Sequence, residues 1–387
     1  MNVFELDQEY VANTYARFPV NIVSGKGSVL KDEAGKEYID LGSGIAVNSF
    51  GTADEEWIAA VTAQLHAFQH TSNLYYTQPC AQLARMLCQR TGMKKVFFSN
   101  SGAEANETAI KAAREYASIH KGADCYTIVT LNNSFHGRTL ATLAATGQEK
   151  YHQHFDPMPQ GFVNIDATPE ALEEVVTTTK VAGILFETVQ GEGGILPLAP
   201  EFLAAMVKTA QENDIVLMAD EVQCGNGRSG KLYAYMNYAV QPDVVTTAKG
   251  IGGGLPIGVT MLGEKVQDVF TPGMNGSTFG GNPAACAGAV NILGRIDDQL
   301  MAEVEEKSKY IFGQLTGAKG VESVSGLGLM VGVKPVKSAA EVVEQCREKG
   351  VLVLTAKDKV RLLPPLNIPF DQLKQAVAVL KSVCGED

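Results

Sequence analysis

Lys249 stands where an apolar run, Val244–Thr247, gives way to the glycines Gly250, Gly252, Gly253 and Gly254. A buried strand ends there and the backbone must bend tightly. An amine in such partly desolvated surroundings, near other charges, has its pKa depressed and can attack an aldehyde to form a Schiff base. A surface lysine ending a strand before a glycine turn would show the same pattern. Asp220 shifts the balance, because it closes a second apolar run, Ile215–Ala219. A carboxylate beside a pyridine nitrogen keeps that nitrogen protonated, and the protonated ring is the electron sink that carbanion chemistry needs. An acid at a strand end could equally bind magnesium.

Two further stretches carry chemistry. Ser99-Asn100-Ser101-Gly102-Ala103-Glu104 follows a strand and opens an alanine-rich helix, so backbone N–H groups and small hydroxyls face outward at a positive helix end suited to a phosphate. Ser101 could instead merely cap that helix, with Glu104 completing a capping box. Phe135-His136-Gly137-Arg138-Thr139 supplies a ring that could stack on a flat cofactor and a guanidinium that could fork onto a carboxylate. Phe135 alone would fit an ordinary core. His152 and His154 lie close together with no third ligand near them in sequence, and no metal site is expected. No Walker loop and no dinucleotide-binding glycine fingerprint is present.

The elements that must position these groups follow from periodicity. Strands are expected at Lys95–Phe98, Tyr126–Thr130, Ala182–Phe186, Ile215–Ala219, Val244–Thr247 and Ile257–Leu262, with helices between most of them. Apolar runs of that length suit a mainly parallel sheet buried on both faces, hence an α/β domain. Ligands of such sheets bind outside the carboxyl ends of the strands. There stand Ser99–Ser101, Glu187, Asp220 and Lys249, so the polar groups are expected to converge. A hairpin is expected around Glu33–Lys36, and helices from about Asp54 and over Pro79–Gln89. After about Asn291 the pattern changes to a helix over Asp298–Leu315, short runs at Val321–Val324, Leu329–Val333, Val351–Leu354 and Val360–Leu363, and a helix over Phe370–Val383. This reads as a smaller α+β domain. The expected division is an N-terminal segment 1–52 that contributes to the small domain, a large domain 53–288 and a C-terminal small domain 289–387.

Composition narrows the function classes. With 387 residues, 45% hydrophobic and 19% charged, the chain can bury a sizeable core. A net charge of -11 without a basic block argues against nucleic acid as a partner. The 7 cysteines are an odd number without a Cys-x-x-Cys pair and read as reduced thiols. No secretory signal, transit peptide or membrane-spanning apolar run of about 20 residues is found, so no membrane association and a cytoplasmic location are expected.

Taken in order, the motifs resemble those of class III pyridoxal-phosphate aminotransferases. They are Ser101–Ala105, Phe135–Thr139, Glu187 with Gln190–Gly194, Asp220–Gln223, Lys249-Gly250 with its glycines, Ser277–Pro283 and Arg361–Leu366, and they cover nearly the whole chain. One departure stands out: Gly51-Thr52-Ala53-Asp54-Glu55 replaces a common Gly-His-x-His-Pro, which puts the start of the local helix in question. The resemblance implies fold type I, a homodimer with sites at the interface, and pyridoxal 5'-phosphate as cofactor. It implies that Lys249 holds the aldehyde and then moves the substrate proton. Asp220 would pair with the pyridinium, Val222 and Phe135 would sandwich the ring, and Gln223 would meet the ring hydroxyl, with Glu221 beside them. Gly102 and Ala103 would present N–H groups to the phosphate next to Ser101. Thr278 would reach the phosphate of the neighbouring subunit, with Ser277 beside the substrate. Arg138 would take a donor carboxylate, and Arg361 would receive the carboxylate of glutamate and pair with Glu192 when none is there. The implied reaction takes the side-chain amine of an acylated ornithine to 2-oxoglutarate. Ornithine, succinylornithine, succinyldiaminopimelate and 4-aminobutyrate remain alternative donors, and a non-catalytic cofactor-binding regulator is the remote alternative.

Overall fold

Strands rich in branched and apolar residues assemble into a seven-stranded sheet, which is the frame of the molecule. The computed structural model describes residues 1–386. Across the sheet the strands run Lys95–Ser99, Gly258–Leu262, Val244–Thr247, Val216–Asp220, Val181–Phe186, Thr127–Leu131 and Phe162–Ile165. All are parallel except Gly258–Leu262, which is antiparallel to both neighbours. Every residue of the central strands Val181–Phe186, Val216–Asp220 and Val244–Thr247 is buried, as a sheet covered on both faces requires.

One face packs under the helix Gly102–Lys121. Ala105, Ala109, Ala112, Ala113 and Ala117 are fully buried there, and their small side chains let helix and sheet approach closely. The fit is tight enough that a Cβ on Gly183 would stand 2.9 Å from the Ala113 Cβ. This closeness fixes the helix N-terminus against the strand ends, which is where the candidate chemistry lies. Ser101 is the N-cap, its Oγ accepting from the Glu104 N–H at 3.2 Å. The phosphate-site and cap readings of this stretch are compatible, because the cap engages the Ser101 hydroxyl, the Glu104 carboxylate and the Asn100 and Glu104 N–H groups and leaves the Gly102 and Ala103 N–H groups unused.

Among the described residues two four-stranded sheets and a two-stranded ladder, Val189–Gln190 with Leu196–Pro197, complete the fold. Ile22–Lys26, Val29–Asp32 and Glu37–Asp40 form an antiparallel meander, and Val351–Leu352 joins it parallel to Glu37–Asp40. Val321–Leu327, Met330–Pro335, Lys359–Leu362 and Leu354–Ala356 form the other. The run expected as one strand, Val351–Leu354, thus divides at Val353 between two sheets. The helices Asp298–Leu315 and Phe370–Gly385 cover this region.

The atypical Gly51–Glu55 stretch supplies its own helix start. Gly51 has φ +82°, and a Cβ there would lie 2.5 Å from the Gly27 carbonyl oxygen, so only glycine fits the close chain crossing. Asp54 then caps the helix Glu55–Ala67 by accepting from the Glu56 and Trp57 N–H groups, and it pairs with Arg295 at 2.7 Å. A side-chain cap of this kind contributes about 1 kcal/mol.

Candidate active site

The carboxyl ends of the central strands open into a cavity of about 610 Å³. Ser101, Gly102, Ala103, Phe135, Arg138, Glu187, Asp220, Val222, Gln223 and Lys249 all line it, so the structure brings most of the predicted site residues together. Lys249 sits in the bend after Val244–Thr247 with φ +49°, a conformation that costs a non-glycine residue about 1–3 kcal/mol and that the surrounding packing must enforce. Burial pushes its ammonium below the ordinary lysine range; the Glu192, Asp220 and Glu187 carboxylates oppose the shift, and the Arg361 charge adds to it. A lysine with this balance gives up its proton more readily than one in water.

Asp220 is 2% exposed and hydrogen-bonded on both oxygens. Its Oδ2 accepts from Asn106 Nδ2 at 2.7 Å and lies 2.7 Å from His136 Nδ1, and its Oδ1 accepts from the Val222 N–H at 3.0 Å. Asn106 is fixed in turn, accepting from Thr246 Oγ1 at 2.7 Å and donating to the His136 carbonyl at 2.8 Å. His136 Nε2 is buried with no partner among the described residues.

At the helix start the Gly102 and Ala103 N–H groups have no acceptor among the described residues, at the end where the helix dipole favours an anion. Gly102 is required by its neighbour, since a Cβ would stand 2.7 Å from Val222 Cγ1. Gly137, at φ +142°, is equally confined, with Thr142 Oγ1 at 2.4 Å from a built Cβ. Phe135 meets Tyr151 edge-on at 5.9 Å, and the exposed Arg138 lays its guanidinium over Tyr151 at 4.1 Å. Glu187 accepts from the Phe135 and Gly191 N–H groups, and burial raises its carboxyl to about 7.

Next to Gln223 and outside the residues that line the cavity, Arg361 donates to Glu192 Oε1 at 2.5 Å, and the two side chains are 4% and 23% exposed. Burial would raise the Glu192 carboxyl, but the Arg361 guanidinium overrides it and holds that carboxyl below its ordinary value. Both charges act on the Lys249 ammonium, and although neither side chain lines the cavity, both hydrogen-bond to Gln223, which does.

Three expectations are not met within the chain. The Glu221 side chain points away from the cavity: its carboxylate accepts from the Ala234 and Tyr235 N–H groups at 2.7 and 2.9 Å, and it serves as a buried cap. Ser277 Oγ accepts from Asn100 Nδ2 and from the Gly280 N–H, and lines an adjoining depression with Asn73 and Tyr76. Thr278 is exposed outside the cavity. His152 uses Nε2 on the carbonyl oxygens of Leu143 and Thr146, both at 2.8 Å. Among the described residues no three His, Cys, Asp or Glu side chains gather as metal ligands.

Two residues absent from the sequence reading belong here. Asn106 is a buried polar side chain on the alanine face of its helix, one turn after Gly102, and that anomaly was its signal. Tyr15 reaches the cavity from an irregular, exposed N-terminal segment that carries no periodicity.

The sheet topology and this cavity define a pyridoxal-phosphate-dependent enzyme of fold type I, and the cavity's own features suit that cofactor: a lysine of depressed pKa, a buried aspartate hydrogen-bonded on both oxygens, and free N–H groups at a helix start. The chain belongs to the class III aminotransferases, whose family model matches residues 10–384. It is 47% identical to the acetylornithine aminotransferase of Haemophilus ducreyi over 99% of this chain and 98% of that one. To the acetylornithine aminotransferase of Methanocaldococcus jannaschii it is 41% identical, over 100% and 98%. Among solved structures, the ornithine aminotransferase of Toxoplasma gondii superposes with a TM-score of 0.94 at 30% identity, covering 98% of this chain and 94% of that one. The N-acetylornithine aminotransferase of Stenotrophomonas maltophilia gives 0.85 at 32% identity, covering 98% of both.

Proposed function

We propose that the enzyme transfers the side-chain amine of N2-acetyl-L-ornithine to 2-oxoglutarate, giving N-acetyl-L-glutamate 5-semialdehyde and L-glutamate, a step of arginine biosynthesis. The observation that carries this reading is the Arg361–Glu192 pair, hydrogen-bonded to the cavity-lining Gln223. An enzyme handling two unlike amino donors needs a cation for the glutamate carboxylate and a way to mask it when a bare methylene arrives. The acetylornithine aminotransferases of Haemophilus ducreyi and Methanocaldococcus jannaschii, matched over nearly the full chain, support the same donor. Ornithine is the second reading, favoured by the close superposition on the Toxoplasma gondii enzyme.

Bound pyridoxal phosphate supplies an electron sink for the carbon next to the reacting amine. Lys249 would hold its aldehyde through Nζ and, once released by the donor, carry the proton between substrate carbon and cofactor. Asp220 would keep the ring nitrogen protonated, and Asn106 and His136 fix the orientation of that carboxylate. Gly102 and Ala103 would give their free N–H groups to the phosphate, while Val222 and Phe135 would bracket the ring. Arg138 would receive the donor's α-carboxylate at the cavity mouth.

We further propose a homodimer in which Thr278 reaches the phosphate of the neighbouring site, with Ser277 beside it. Exposed Leu74, Tyr75, Tyr76 and Phe279 form an apolar surface around the depression lined by Ser277, which supports burial against a second copy. Residues 1–52 and 289–387 are taken as one small domain around the large domain 53–288, in line with the pairing of Val351–Leu352 on Glu37–Asp40. A cytoplasmic location accords with the free cysteines, and no helix among the described residues is long and apolar enough to cross a membrane. Glutamate formation from 2-oxoglutarate across a panel of donors tests the function: acetylornithine should lead, and a higher kcat/KM with ornithine would overturn the reading in favour of the second.

A further inference from the structure

Arg361 is held at a single nitrogen. Its Nη1 donates to Glu192 Oε1 at 2.5 Å and to Gln223 Oε1 at 3.1 Å, whereas its buried Nε has no acceptor among the described residues. Gln223 uses its other amide end as well, donating from Nε2 to the same Glu192 oxygen at 3.3 Å. The three side chains close a ring in which each touches the other two.

The two acceptors differ in how firmly they are mounted. Glu192 rides on a turn flanked by Gly191, Gly193 and Gly194, the last at φ +113°, and its side chain is 23% exposed. Gln223 is 7% exposed and follows Val222, whose N–H is tied to Asp220. Its amide also packs on Gly191, where a built Cβ would stand 2.4 Å from Gln223 Oε1. Glu192 is therefore the member able to withdraw, and Gln223 the one that stays.

We propose that Gln223 is a positioning residue that sets donor specificity: it keeps the Arg361 guanidinium in place when Glu192 gives way to a substrate carboxylate. The inference rests on the reading that Arg361 seats the carboxylate of glutamate and 2-oxoglutarate. With Nη1 still anchored on a neutral amide, the guanidinium presents its unpartnered Nε edge for a two-point carboxylate contact. A carboxylate at position 223 would compete with the ligand, and an apolar side chain would let the guanidinium swing.

The test is calorimetric titration of holoenzyme with two ligands that cannot react. One is glutarate, a dicarboxylate without amine or carbonyl; the other is N2-acetyl-L-norvaline, the donor without its amine. Gln223→Met removes one hydrogen bond to a charged group and should weaken glutarate by about tenfold more than acetylnorvaline. Gln223→Glu serves as the second variant, and its added carboxylate should likewise weaken glutarate by about tenfold or more relative to acetylnorvaline. Unchanged glutarate affinity in either folded variant, or equal weakening of both ligands, would overturn the proposal. Arg361→Ala separates the two levels: if it binds glutarate as the wild type does, the carboxylate seat itself is refuted, whereas loss there with no loss in Gln223→Met refutes only the role of Gln223.

Discussion

Replacing Arg361 by alanine should separate the two half-reactions. Glutamate would lose a charge-assisted contact in a site where Arg361 is 3% exposed, and truncating such a pair costs about 2–4 kcal/mol, or roughly 30- to 700-fold at 1.4 kcal/mol per tenfold. Acetylornithine brings a methylene to the same place and loses no partner. Its cost arises only from Glu192, left without the guanidinium that holds its carboxyl below the ordinary range against burial. Burial would then raise that carboxyl, and because Glu192 is partly exposed it can take up a proton, which limits the loss to within about tenfold. The glutamate half-reaction should therefore fall at least about threefold further than the acetylornithine half-reaction. Single-turnover stopped-flow measurement of each, following the cofactor's absorbance change, reads the ratio. If both half-reactions fall by the same factor, Arg361 only ties the chain segments together and the two-state masking by Glu192 is wrong.

Two further outcomes follow from the same geometry. Asp220→Asn should still bind cofactor, because the helix-start N–H groups and the Phe135 and Val222 faces remain, yet slow proton abstraction severely since a neutral ring is a poor sink; a near-normal single-turnover rate would mean another group protonates the ring. Lys249, with a pKa below its ordinary value, binds fewer protons folded than unfolded, so it makes cofactor-free protein more stable as pH rises from the depressed pKa towards the ordinary value of 10.5. The Tm of wild type minus that of Lys249→Met should rise over this window, and a flat or falling difference would show that Lys249 is not desolvated.

How much of this was legible depended on which physical signal each residue carries. Val181–Phe186 and Val244–Thr247 are buried on both faces, so their apolar runs announce strands, and the residues just past them mark the cavity. Phe162–Ile165 is a half-buried edge strand of 4 residues containing Asn164, too short and mixed to stand out. Val351–Leu354 is one apolar run by composition, but its halves pair with different partners, which only tertiary contacts decide. The helix Pro283–Arg295 opens with small residues and shows little face preference, because it is buried widely between two other helices. Glu221 looked like a member of the site because it follows Asp220, yet adjacent residues leave a strand end in different directions, and its carboxylate went to the Ala234 and Tyr235 N–H groups. Ser277 and Thr278 could not be placed in the cavity from one chain, since they lie outside it.

Reduction of the purified holoenzyme with borohydride, followed by peptide mapping, tests the central assignment most directly. A Schiff base is reduced to a stable amine, so the account predicts a cofactor-derived mass on the peptide carrying Lys249 and loss of that label in Lys249→Ala. A label on another lysine, or no covalent label on protein that holds cofactor, would contradict it.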